Sequence, residues 1–95
     1  MELIFEWDPR KDSANRRNHR VAFEEAKSIF NDPHELMRDD PDHSAEEQRS
    51  ISIGESDAGR LLLVVYVQIE NVIRLISARV AERDEVAEYR ERRGD

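Results

Sequence analysis

Of 15 basic residues in this chain, only Lys11 and Lys27 are not arginine. Arginine carries a planar fork of N–H donors that fits phosphate or carboxylate through two parallel bonds, whereas lysine is a point charge. Arg10, Lys11, Arg16, Arg17 and Arg20 stand against Asp12 alone, a local excess of +4 within a chain of net charge −7. Screening at physiological salt acts over about 8 Å, so such a patch can hold an anion despite acidic surface elsewhere. The acidic total argues against wholesale nonspecific nucleic-acid binding but leaves an RNA ligand open. With no cysteine there is no thiolate nucleophile, no disulfide framework and no Cys-based zinc site, which fits a cytoplasmic setting. Asp39, Asp40, Asp42 and His43 are metal-type donors, but their spacing fits no EF-hand and Pro41 interrupts it. They read as a solvated loop, and neither a metal nor a cofactor is expected.

These side chains must be positioned by one domain spanning residues 1–95, since 11.2 kDa leaves no room for two. Charged residues make up 39% of the chain, yet the apolar ones cluster in runs, as a folded core requires. The longest run, Leu61 to Val67, is too short to span a bilayer, and no signal-peptide layout opens the chain, so no membrane partner is expected. Leu3 to Trp7 reads as a strand. Asp8-Pro9 then gives an N-cap and first-turn proline for a helix to about Asn18. From Ala22, the residues Phe23, Ala26, Ile29 and Phe30 form one apolar stripe, closed by Asn31-Asp32-Pro33. Strands are predicted at Glu35–Arg38, Arg49–Ile53, Arg60–Ile69 and Val72–Arg79, with turns at 56–59 and Glu70-Asn71. Ser44 and Glu47 have capping-box spacing for a short helical turn. Residues 82–93 form a closing helix with Val86 and Tyr89 inward. In the central strand the odd-numbered face, Leu61 to Ile69, is wholly apolar and reads as the deeper core. The order predicts an α+β fold: an antiparallel sheet of about four to five strands, two N-terminal helices and a C-terminal helix.

Phe5-Glu6-Trp7-Asp8-Pro9 with Lys11, then Asn15, His19, Val21 and Phe23-Glu24-Glu25-Ala26, make an ordered set. Asp40-Pro41-Asp42-His43-Ser44 with Glu47, Arg49 and Ile53-Gly54 continues it, and Arg74, Ile76-Ser77-Ala78-Arg79, Ala81, Glu85 and Tyr89 complete it. Together these resemble the BrnT family. The resemblance implies a RelE-like ribonuclease toxin of a type II toxin–antitoxin pair. Its partners would be an RNA substrate and a BrnA-like ribbon-helix-helix antitoxin, with operator DNA bound only through the antitoxin complex. The family usually has glycine where Arg20 stands and a capping serine where Ala22 stands, and it is more basic than Arg79 to Val86 here. An arginine in a left-handed turn is strained, and a missing cap costs about 1 kcal/mol.

Under that resemblance, metal-free RNA cleavage needs a base for the 2′-hydroxyl, cations for the crowded phosphorane and an acid for the leaving oxygen. The candidate cations are Arg60, Arg74, Arg79 and Lys11, and His19 is the proton-transfer candidate, since imidazole serves as either base or acid. Trp7, Arg16 and Arg49 are candidates for RNA contact, Trp7 by stacking on a base. Arg74 and Arg79 differ in parity, so both can face one phosphate only if a bulge re-aims one or Arg79 lies past the strand end. Other roles stay open at this level: an ion pair for Arg74, a helix terminus for His19, core closure for Trp7. A member that has lost cleavage and serves only in the repressor complex is the alternative.

Overall fold

Asp8 accepts the Arg10 N–H at 2.8 Å and Pro9 occupies the first turn, so the helix α1 (Pro9–His19) starts where the Asp-Pro pair predicts. In this computed structural model, which describes residues 2–39 and 48–95, α1 follows strand β1 (Ile4–Glu6). Next come helix α2 (Phe23–Ala26), a 3₁₀ segment (Lys27–Asn31), strands β2 (Leu36–Asp39), β3 (Arg49–Glu55), β4 (Leu61–Ile69) and β5 (Val72–Val80), and helix α3 (Arg83–Arg93). The α+β class is as expected. The acidic loop from Asp40 and the turn expected from Ser44 and Glu47 lie outside the described residues.

One sheet holds all five strands in the order β1-β5-β4-β3-β2. It is mixed, not antiparallel throughout, because β1 runs parallel to β5 with Glu6 opposite Arg74. The connection through α1 and α2 carries the chain from β1 to β2 at the opposite edge, and β5 returns beside β1 only after three antiparallel strands. Beyond Arg74 the outer edge of β5 has no partner strand among the described residues. There α1 supplies Asn15, which donates to the Val21 and Ala78 carbonyls at 2.8 and 2.9 Å and accepts the Ala78 N–H at 3.0 Å. A buried amide thus stands in for a strand's donor and acceptor.

The strand β5 carries a bulge. Val65 faces Ser77 while Tyr66 faces Leu75, so Ile76 is an extra residue with no partner on β4. That single insertion turns Arg74, opposite Val67, and Arg79, opposite Leu63, to the same face. The even face of β4 is the deeper one, contrary to the sequence expectation. Leu62, Val64 and Tyr66 are buried with Phe23, Ala26, Ile29, Ile73 and Leu75 beneath α2 and the 3₁₀ segment. On the odd face, Leu63 and Ile53 pack with Tyr89 of α3, while Ile69 remains 69% exposed. Apolarity alone did not rank the faces because α3 covers only part of the odd one.

The two departures at the α1–α2 junction have local answers. Arg20 does take the left-handed conformation, φ 58 and ψ 34, and its carbonyl is held by Arg60 Nη2 at 3.1 Å. Ala22 offers no cap, and Asp12 of α1 accepts the Phe23 N–H at 3.0 Å instead. No helix among the described residues is long and apolar enough to cross a membrane.

Candidate active site

The three arginines expected to meet at one phosphate do not converge. Arg60 precedes β4, and its Nε and Nη2 donate to the two Glu25 carboxylate oxygens at 3.0 and 2.5 Å. Seven residues of strand separate it from Val67, the partner of Arg74, a distance of about 23 Å. Arg79 lies opposite Leu63, about 13 Å from the Arg74 level, and its Nη1 and Nη2 each reach a Glu85 oxygen at 2.9 Å. Glu85 Oε1 also accepts the Glu82 N–H at 2.8 Å, tying this pair to the start of α3. Each pair holds its carboxyl group below the usual range: Arg60 bonding does so at Glu25 and Arg79 bonding at Glu85. Both arginines brace the fold, Arg60 across 35 residues of sequence and Arg79 between the adjoining β5 and α3.

Arg74 is placed otherwise. Its exposed side chain lines two adjoining hollows at the end of the sheet where β1 stops and α1 starts. One hollow, about 240 Å³, is bordered by Asp8, Lys11, Arg74, Leu75 and Ile76, and therefore by the bulge. The other, about 340 Å³, is bordered by Glu6, Gln48, Arg74 and a wall of Val67, Ile69 and Val72. The sheet register sets this grouping: Glu6, Arg74, Val67 and Arg49 form one row across four strands. Directly opposed residues share a face, so both guanidinium groups flank Val67, about 10 Å apart at the backbone. Lys11 sits in the first turn of α1, where the helix dipole disfavours a cation, and the Asp8 carboxylate in the same hollow offsets that. The Arg10 backbone N–H, then its guanidinium, hold the Asp8 carboxyl below its usual value, so Asp8 is a settled anion.

The remaining candidates fall elsewhere. His19 is exposed at the last position of α1, about 12 Å along the helix axis from Lys11. Trp7 packs edge-on against Phe23 at 5.9 Å between ring centres and is partly buried against the core, the closing role rather than an open stacking platform. Arg16 is exposed and lies 3.8 Å from Asp12. Glu6, within the signature, drew no role from the sequence. Its placement depends on parallel pairing with β5, for which short strands carry no local signal. Of the apolar wall, Val67 is buried as its place on the odd face of β4 predicts, whereas Ile69 on the same face is exposed.

The hollows gather one guanidinium, one ammonium and the carboxylates of Glu6 and Asp8 beside an apolar surface, with Arg49 in the same sheet row. The chain's residues 7–85 match the family model described as the ribonuclease toxin BrnT of type II toxin–antitoxin systems. Among solved structures, the chain is similar to the Brucella abortus ribonuclease toxin BrnT, with 22% identity and a TM-score of 0.59. That match covers 87% of this chain and 99% of the other, and it supports the α+β fold. No curated protein matches the chain.

Proposed function

The chain belongs to the BrnT family of ribonuclease toxins of type II toxin–antitoxin systems, and from that premise we propose that RNA is cleaved at the open end of its sheet. Arg74 and Lys11 hold the scissile phosphate, and Arg49 steers the strand across Val67. The 2′-hydroxyl oxygen attacks phosphorus while Glu6, beside Arg74 in the same row, takes its proton. Charge building on the phosphorane meets the guanidinium and ammonium donors, and the Lys11 ammonium donates a proton to the departing 5′-oxygen. Arg60, Arg79 and His19 are outside this chemistry. Fixed cations already supply the charge stabilisation, so the reaction needs no metal ion. The observation that carries this reading is that Arg74 alone borders both hollows, with Lys11 on one side and Glu6 on the other.

The antitoxin of this pair is a BrnA-like ribbon-helix-helix protein, operator DNA is bound only through their complex, and the toxin acts in the cytoplasm. Inducible expression without the antitoxin is expected to arrest growth and degrade RNA. Purified protein is expected to cleave RNA equally well in a chelator. Intact RNA with the purified wild type would sink the proposal, and loss of cleavage in the chelator would remove its metal-free chemistry.

A further inference from the structure

The larger hollow has features that phosphate binding leaves unused. Its wall is aliphatic and in part open to water, with Ile69 69% exposed. Ile69, Val72 and Ile4 form the row next to that of Val67, Arg74 and Glu6, on the same face of the sheet. Ile4 is itself 54% exposed. One such row step is about 7 Å, a span that a single ribose bridges between a phosphate and a base. Glu6 borders this hollow, at the row between the wall and the Lys11 compartment.

We propose that the Val67–Ile69–Val72 hollow is a subsite for the nucleobase on the 5′ side of the scissile bond. This rests on the reading of Arg74 as the phosphate-holding group. The occupant follows from continuity of charge and shape: a guanidinium shared between a cationic compartment and an apolar one fits a unit with a phosphate at one end and a flat apolar ring at the other. Unstacked bases of single-stranded RNA are such units, and they gain by laying a face on an apolar or π surface. The polarity follows from Glu6. The nucleotide whose 2′-hydroxyl attacks lies on the 5′ side of the cut, so its base enters the compartment that Glu6 borders, while the departing 3′ nucleotide lies beyond Lys11.

The test uses the full-length wild-type protein and a short RNA of mapped cleavage site, with single abasic ribonucleotides placed on either side of the cut. An abasic unit on the 5′ side is expected to lower kcat/KM about tenfold, and one on the 3′ side less than threefold. In Ile69→Ser the intact substrate is expected to fall towards the abasic rate, so that the 5′ discrimination shrinks to about twofold. Ile69 is mostly exposed, so the variant should fold, and its melting temperature checks this. Equal rates for all three wild-type substrates would overturn the subsite while leaving the ribonuclease reading intact. Undiminished discrimination in Ile69→Ser, with weakened binding of the antitoxin instead, would assign the wall to a protein partner. Absence of any cleavage by the wild type would mean that the underlying ribonuclease reading itself has failed.

Discussion

Arg79 and Arg74 leave the same strand on the same face, yet they do opposite work. At the α3 end, Glu85 takes both forks of Arg79 at 2.9 Å, and Glu25 does the same for Arg60 across the other face. At the β1 end, Arg74 borders two open hollows with Lys11, Glu6 and Asp8 around them. The difference lies in what the neighbouring elements bring. Helix α3 crosses the first region and sets Glu85 on Arg79, while Arg74 lies at the border of two hollows with the Glu6 and Asp8 carboxylates as neighbours. A residue type that suits phosphate suits carboxylate equally, so the fold decides what surrounds each arginine.

The largest effect that would sharpen this contrast is on catalysis. Arg74→Ala is expected to reduce kcat by 10² to 10³, about 3 kcal/mol, the scale of one preorganised donor. A loss below fivefold, measured on an RNA of defined cleavage site, breaks the comparison. On the stability side, Asn15→Ala is expected to cost about 3 kcal/mol, because three buried hydrogen bonds go and the Ala78 groups are left unsatisfied. Urea unfolding measures this, and a change under 1 kcal/mol would contradict the strand-mimic role.

Arg79→Ala reverses the Arg74 pattern. Truncating it strands the Glu85 carboxylate, which is only 9% exposed, and should cost about 2 kcal/mol of stability. Cleavage per folded molecule should stay within threefold. Arg60→Ala is milder, about 1 kcal/mol, because that side chain is 38% exposed and solvent screens the pair.

The same pairs set the acid limb. Glu25 and Glu85 have folded values depressed below about 4.5, chiefly by Arg60 and Arg79 respectively. For such groups the unfolded chain binds protons more tightly, so their contribution is present above pH 4.5 and is lost as pH falls through the folded values. Glu35 works against this. Burial raises its carboxyl group despite the Ser52 bond, so its contribution is present at low pH and lost as pH rises above its usual value. Stability is expected to drop from pH 4.5 downward, and Glu85→Gln should be less stable at neutral pH with a shallower acid slope. At the alkaline end, burial and the Asp32 bond push the Tyr89 phenol up to about 12. Its share of stability is therefore held below pH 10 and lost towards pH 12, and Tyr89→Phe should remove that step.

Much of the scaffold was legible from local chemistry. Asp8-Pro9 located α1, the two-residue turn at Glu70-Asn71 located the β4–β5 hairpin, and the alternation after Arg49 located β3. Three features were not, and each decides the site. The parallel seat of β1 depends on a crossover whose end point has no local signature. The bulge at Ile76 was inferable only as one of two ways to reconcile the parity of Arg74 with that of Arg79. The partners of Arg60 and Arg79 lie 35 and 6 residues away on different elements, where the periodicity of a single strand or helix gives no guide. Their carboxylates therefore stayed hidden while the arginines looked available. Ile69 was misassigned for a related reason: apolar alternation reports a face, not whether a helix covers it, and Ile69 is 69% exposed while Val67 is buried.

The most direct test follows the arginine side-chain Nε–H signals by NMR while the wild-type protein is titrated with a short RNA made uncleavable by 2′-O-methylation. Binding at the open end predicts that the Arg74 signal moves on saturation while those of Arg60 and Arg79, held by Glu25 and Glu85, stay in place. Movement of Arg60 and Arg79 with Arg74 unchanged would contradict the account at its centre.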